Sequence, residues 1–192
     1  KDVVKIFLAF FFLYSLFIYW GGQNENSRFS LTRAIADEKR FEIDSFYNST
    51  ADRAFYNGHY YSDKNPGTSL LAVPVYSIWK FLNPPEDKLQ NVEYLSFKVG
   101  SAQIYEPLRI GNFTLLSMIL VTIFVPSLFG ALLIVLIYAY LNRLMPDRKQ
   151  VLLICIVAGL GTAIFTYSTA FLEFVLPAFF SFLAFLLISV VK

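Results

Sequence analysis

Residues 113–141 run for about 29 positions without one charged side chain, and no other feature limits so sharply what this chain can become. As a helix rising 1.5 Å per residue, such a run exceeds the roughly 30 Å of a bilayer's hydrocarbon core and can cross it with tilt. Composition points the same way. The chain is 56% hydrophobic and 16% charged, against about 45–50% and about 25% in soluble domains, and its mean hydropathy is +0.54. A net charge of +2 and the lack of a Lys/Arg run argue against a nucleic-acid partner. The single cysteine, Cys155, can form no internal disulfide and no cysteine cluster; in an apolar run it reads as a small packing hydrophobe.

Two further apolar stretches accompany the first. Residues 3–20 are nearly all apolar and end in Phe17-Ile18-Tyr19-Trp20, an aromatic girdle suited to a membrane interface. This length and ending favour a retained span over a cleaved signal peptide, whose apolar core is about 7–15 residues before small residues. Residues 151–191 carry only Glu173 as a charge, too long for one span, so a hairpin of two turning near residues 167–172 is expected. The fold class expected is therefore an all-α integral membrane protein with about four transmembrane helices. The first is residues 1–20, residues 21–111 form a long extracytoplasmic loop, and residues 112–192 supply three more spans. Lys and Arg in short loops set orientation. Arg143, Arg148 and Lys149 in the 142–150 turn, with Lys1 and Lys5, assign those ends to the cytoplasm and the 21–111 loop and 167–172 turn to the outside. Because Lys192 follows an apolar run directly, the chain is expected to be the first part of a larger membrane domain.

Within the loop, Asn26 or Ser27 is a candidate cap for a surface helix over residues 28–39, with Leu31, Ala34 and Ile35 as its apolar positions. Residues 70–82 contain Pro74, and their 13 positions are short for a span, so they read as a second interfacial helix. Were they to cross, Arg143 would face outward, against the charge rule.

Two polar clusters flank the first surface helix: Glu25-Asn26-Ser27-Arg28, and Gly58-His59-Tyr60-Tyr61-Ser62-Asp63-Lys64-Asn65-Pro66-Gly67. The plain reading is a solvated loop with a turn entering a helix. The chemical reading is that Lys64 and Arg28 clamp a lipid phosphate at headgroup level while the Glu25 carboxylate takes a proton from an incoming hydroxyl. Asp37, Asp44 and Asp52 read as solvated or capping residues, and Glu173 as an acid placed at an interfacial turn or facing a cavity. Asn48-Ser49-Thr50 and Asn112-Phe113-Thr114 are glycosylation sequons on the expected outer side.

Glu25-x-x-Arg28, a helix, then Asn57-Gly58-His59-Tyr60-Tyr61-Ser62-Asp63-Lys64-x-Pro66 resembles the first outer loop of GT-C membrane glycosyltransferases. The likeness is to the branch with protein O-mannosyltransferases and the lipid A aminoarabinose transferase. It continues through Arg109 and the basic end at Arg143 to Glu173. The resemblance implies a GT-C-like fold and transfer of a sugar from a polyprenyl-phosphate donor to a lipid, glycan or protein acceptor. It implies Glu25 as the catalytic base, Lys64 and Arg28 as donor-phosphate ligands, and Glu173, Asp63, His59 and Tyr61 as cavity-lining residues. Some family members use a divalent ion, for which His59 and Asp63 with Glu25 are the candidate ligands; no other cofactor is implied. Membrane lipids are the remaining expected partners. The chain departs from the pattern at Glu25, where Asp is usual, at Asn26 for a second acid, and at Asn65 for a proline. Two rivals stand beside this reading: a non-catalytic lipid-binding or transporter subunit, and a GT-C relative that has lost activity.

Overall fold

The computed structural model describes residues 2–85, 92–99 and 102–190, and the chain is mostly helical. It divides into two compact units, one made of the residues up to Tyr19 together with those from Thr122, the other of Trp20–Val121.

In the first unit, α1 (Asp2–Leu16) packs against α5 (Leu128–Leu144) and α6 (Arg148–Leu160). Ile6, Phe10 and Tyr14 recur every four residues and so share one face of α1; they meet Ala131, Ile134 and Tyr138 of α5 and Val151 and Cys155 of α6. Cys155 is thus a packing residue, as its apolar setting implies. The Tyr14 hydroxyl donates to the Gly159 carbonyl at 3.0 Å. Arg148 pairs with Asp2 at 2.5 Å at one end of the unit, and the Tyr19 N–H donates to the Thr169 carbonyl at 2.8 Å at the other. α1 therefore runs alongside α6 and α7 (Ala163–Thr169) in the same direction.

Helix α4 (Asn112–Thr122) continues through a π-helical turn, Ile123–Ser127, into α5. Pro126 lies in that turn, where the wider spacing accommodates a residue with no N–H to offer. The whole helix, Asn112–Leu144, has 33 residues and is long and apolar enough to cross a membrane. α6 and α7 pass the same test together but bend by 56° at Gly161-Thr162. α8 (Val175–Val190) is apolar but shorter. The connection between α7 and α8 falls at residues 170–174, close to the expected 167–172 turn. Gly130 lets α5 approach α7, since a Cβ there would strike the Ser168 side chain. One boundary differs from expectation. The first helix stops at Leu16, and Phe17–Trp20 leaves it to make a bridge from Tyr19 to Ala170, ahead of Gly21 at a φ of 90°.

The second unit corrects the all-α expectation, because it contains two antiparallel hairpins. β1 (Arg53–Tyr56) pairs with β2 (His59–Ser62) through Asn57-Gly58, both at positive φ, 49° and 86°. These are the residues and angles of a two-residue turn whose twist matches its strands. β3 (Val92–Val99) pairs with β4 (Ala102–Ile110), with an irregularity at Glu93/Tyr94. The expected surface helix over 28–39 is instead α2 (Gln23–Arg33), capped at Gly22 rather than at Asn26 or Ser27. It ends in a π-helical turn, Ala34–Glu38, closed by Lys39 at φ 58°. α3 (Gly67–Leu82) includes the expected 70–82 stretch with Pro74 inside it and exposes Leu70, Leu71, Ile78 and Phe81.

Candidate functional site

α2 is polar in sequence yet buried almost throughout, from Glu25 to Arg33. Its hydroxyls explain how it seats against α3. Thr32 donates to the Arg28 and Ser69 carbonyls, at 3.0 and 3.3 Å, and Ser69 donates back to the Arg28 carbonyl at 2.9 Å. Small side chains and shared carbonyls satisfy the polar backbone where two helices approach closely. Leu31 and Ala34 then close a small core with Ile43 and Phe46.

This packing gathers charge. Arg28 has no exposed surface and Glu25 only 5%. The Arg28 guanidinium donates to the Asn24 carbonyl at 3.2 Å. Burial lowers its proton affinity, opposed by the fields of Glu25, Asp63 and Asp52. Burial likewise raises the Glu25 carboxyl above the ordinary glutamate range; its own backbone N–H and Arg28 oppose the rise, and Asp52 adds to it. Glu25 is the third residue of α2, and its carboxylate folds back over Gly22, where a Cβ would collide with it.

The β1–β2 hairpin brings the second cluster to the same place. Ser27 Oγ meets Ser62 Oγ at 2.8 Å and donates to Asp63 at 3.5 Å. Lys64 Nζ lies 3.1 Å from Asp52 Oδ2 and 3.1 Å from Asp63 Oδ2, with its side chain 19% exposed. Burial works against the Lys64 charge, but its bonds to Asp63 and Asp52 outweigh that and hold the ammonium above the ordinary lysine range. Glu25, Arg28, Asp63 and Lys64, widely separated in sequence, thus belong to one electrostatic cluster.

Other candidates stand elsewhere. His59 Nδ1 is 2.7 Å from Asp44, on an exposed part of the hairpin, and the Tyr61 hydroxyl donates to Glu42 at 3.2 Å. Glu173 is half-buried in the 170–174 connection of the first unit. Asp37, Asp44 and Asp52 are not merely solvated or capping. Asp37 accepts from Tyr76 at 2.9 Å and Lys80 at 2.8 Å, Asp44 holds His59 and the Tyr60 N–H, and Asp52 holds Lys64. The side chains named as ion ligands each have charged neighbours of their own. The carboxylates nearest Glu25 already face Arg28 and Lys64, His59 is engaged by Asp44, and among the described residues no three His, Cys, Asp or Glu side chains are grouped as ligands.

The contact of Asp52 with Lys64 has a signal in the sequence. The Asn57-Gly58 turn pins the register so that Arg53 faces Ser62. Asp52 and Asp63 follow one position outside that pair, and both reach Lys64. Set against known protein families, curated proteins and solved structures, the chain matches none.

Proposed function

We propose that this chain belongs to a membrane glycosyltransferase of GT-C type that moves a sugar from a polyprenyl-phosphate donor to a hydroxyl acceptor outside the cytoplasm. The observation that carries the proposal is the convergence of Glu25, Arg28, Asp52, Asp63 and Lys64 in one folded unit, although they come from a helix and from the two ends of a separate hairpin. A carboxylate of raised proton affinity is suited to accept a proton near neutrality, and a paired ammonium is suited to meet a phosphate. In the proposed step the Glu25 carboxylate removes the acceptor's hydroxyl proton and the acceptor oxygen bonds to the anomeric carbon. The bond from that carbon to the phosphate oxygen breaks with inversion, and lipid phosphate leaves carrying the electron pair. Lys64 stabilises the charge that builds on the leaving phosphate. Arg28 is fully buried among carboxylates, so its part is to neutralise and hold Glu25 rather than to touch the donor.

The membrane setting draws support from the 33-residue apolar helix and from the first unit's two ends. Asp2 and Arg148, both in segments assigned to the cytoplasm, pair with each other, and Tyr19 meets Thr169 at the other end of the first unit.

One observation favours a second reading, in which the fold persists without catalysis. Glu25 over Gly22, at the third helical position, has the placement of a helix-capping carboxylate. Glu25→Gln separates the two, because glutamine caps at that position as glutamate does but cannot take a proton. In reconstituted proteoliposomes, the enzyme reading expects Glu25→Gln and Lys64→Ala each to lower sugar transfer at least about a hundredfold. Transfer unchanged in both variants would end it.

A further inference from the structure

Asp52 stands just ahead of β1 and is tied to α2 through the segment before it. Its N–H donates to Thr50 Oγ1 at 3.0 Å, and Thr50 Oγ1 donates to the Gln23 carbonyl at 2.7 Å. The Gln23 side-chain oxygen accepts the Ala51 N–H at 2.6 Å. Thr50 is buried, so water does not compete for these bonds. Asp52 is thereby fixed to the first turn of α2, the turn that carries Glu25. Asp63 holds Lys64 at the same 3.1 Å, but it is the lysine's neighbour in the chain and travels with it. Asp63 also meets α2, through a long 3.5 Å bond from Ser27 to its carboxylate, whereas Asp52 is anchored to α2 through its backbone.

We infer that Asp52 is a positioning residue of this site: anchored to the start of α2, its carboxylate sets where the Lys64 ammonium stands to receive the phosphate of a lipid donor. This rests on the glycosyltransferase reading for the identity of the ligand. The charged groups that face Lys64 are Asp52 and Asp63, and those that face Glu25 are Arg28 and Asp52. Removing the Asp52 charge therefore acts on both, freeing the ammonium and weakening the field that raises Glu25.

The test uses the protein in proteoliposomes, an amine-modifying reagent, and polyprenyl phosphate in the vesicles as the probe, with modification read at each lysine by mass spectrometry. Lys80, held by Asp37, is the internal control for an intact unit. In the wild type, polyprenyl phosphate is expected to protect Lys64. In Asp52→Asn, Lys64 is expected to react several-fold faster without the probe and to lose most of its protection with it, while Lys80 is unchanged. Asp52→Glu, which restores the charge, is expected to recover protection. Full protection of Lys64 in Asp52→Asn overturns the inference and leaves the phosphate site standing. Faster reaction at Lys80 as well in both variants overturns it too, since Asp52 would then serve the fold alone. No protection in the wild type ends the phosphate reading itself.

Discussion

Helices α1 and α2 follow one another in the chain and obey opposite rules. α1 is apolar and leaves half its circumference uncovered, with Leu8 and Phe12 at 55% and 64% exposure. α2 carries Asn, Glu, Ser, Arg and Thr and buries almost all of them. In water this arrangement would be costly twice over, through exposed apolar surface and through desolvated charge. It is consistent if α1 faces lipid and α2 lines a site whose charges compensate one another. The contrast teaches that an exposed apolar face and a buried polar helix call for different surroundings, and on the proposed function those are lipid and a site.

If the proposed function holds, the largest effect expected from this contrast is the loss of transfer in Glu25→Gln and Lys64→Ala, with the melting temperature of Glu25→Gln held or raised. The sign follows from its raised proton affinity. A carboxyl bound more tightly to its proton in the fold than in the unfolded chain makes its stabilising contribution at acid pH and loses it as pH rises through the folded value. At neutral pH a neutral glutamine thus relieves a cost. Next comes Arg28→Met, which leaves Glu25 buried beside Asp52 without its cation. Its effect on detergent-solubilised unfolding should differ between the wild type and Glu25→Gln, because each charge stands in the field of the other. Additive effects would show that the two side chains do not interact.

Phe12→Lys probes the other side of the comparison. On a lipid-facing surface it should oppose membrane insertion by about 2.5–3.5 kcal/mol, whereas on a water-facing helix the same change is nearly neutral. Efficient insertion of the variant would break the contrast. The smallest effect is expected at the hairpin. The Tyr60 N–H and then His59 hold the Asp44 carboxyl below the ordinary aspartate range. Its contribution is therefore complete above the unfolded value, about 3.9, and disappears as pH falls through the folded one. Melts of Asp44→Asn and wild type should differ slightly at pH 6 and converge in acid.

Legibility in the sequence varied with the range of the interaction. The 112–144 helix, the break near residue 170 and the helix at 67–82 follow from runs of apolar residues and are easily read. Asn57-Gly58 announced a hairpin too, but flanking residues rich in charge and tyrosine, with no strong alternation, let the strands pass as loop. The true start of α2 was hidden because Gly22 caps it without a side chain, while Asn26 and Ser27 look like better caps and are already inside the helix. His59 and Asp63 look like neighbours in the chain, yet one turns to Asp44 and the other to Lys64.

Apolar runs, a two-residue turn and the acid–arginine and lysine–proline motifs are written locally. Transfer out of water and backbone preference act residue by residue, so the sequence by itself determined where a membrane helix can form and which residue types are available for chemistry. Only the tertiary structure decided that Arg28 is enclosed, and that Asp52 reaches Lys64. Those outcomes depend on strand register and on the seating of α2 against α3, and charge interactions change steeply over the few ångströms that such packing sets.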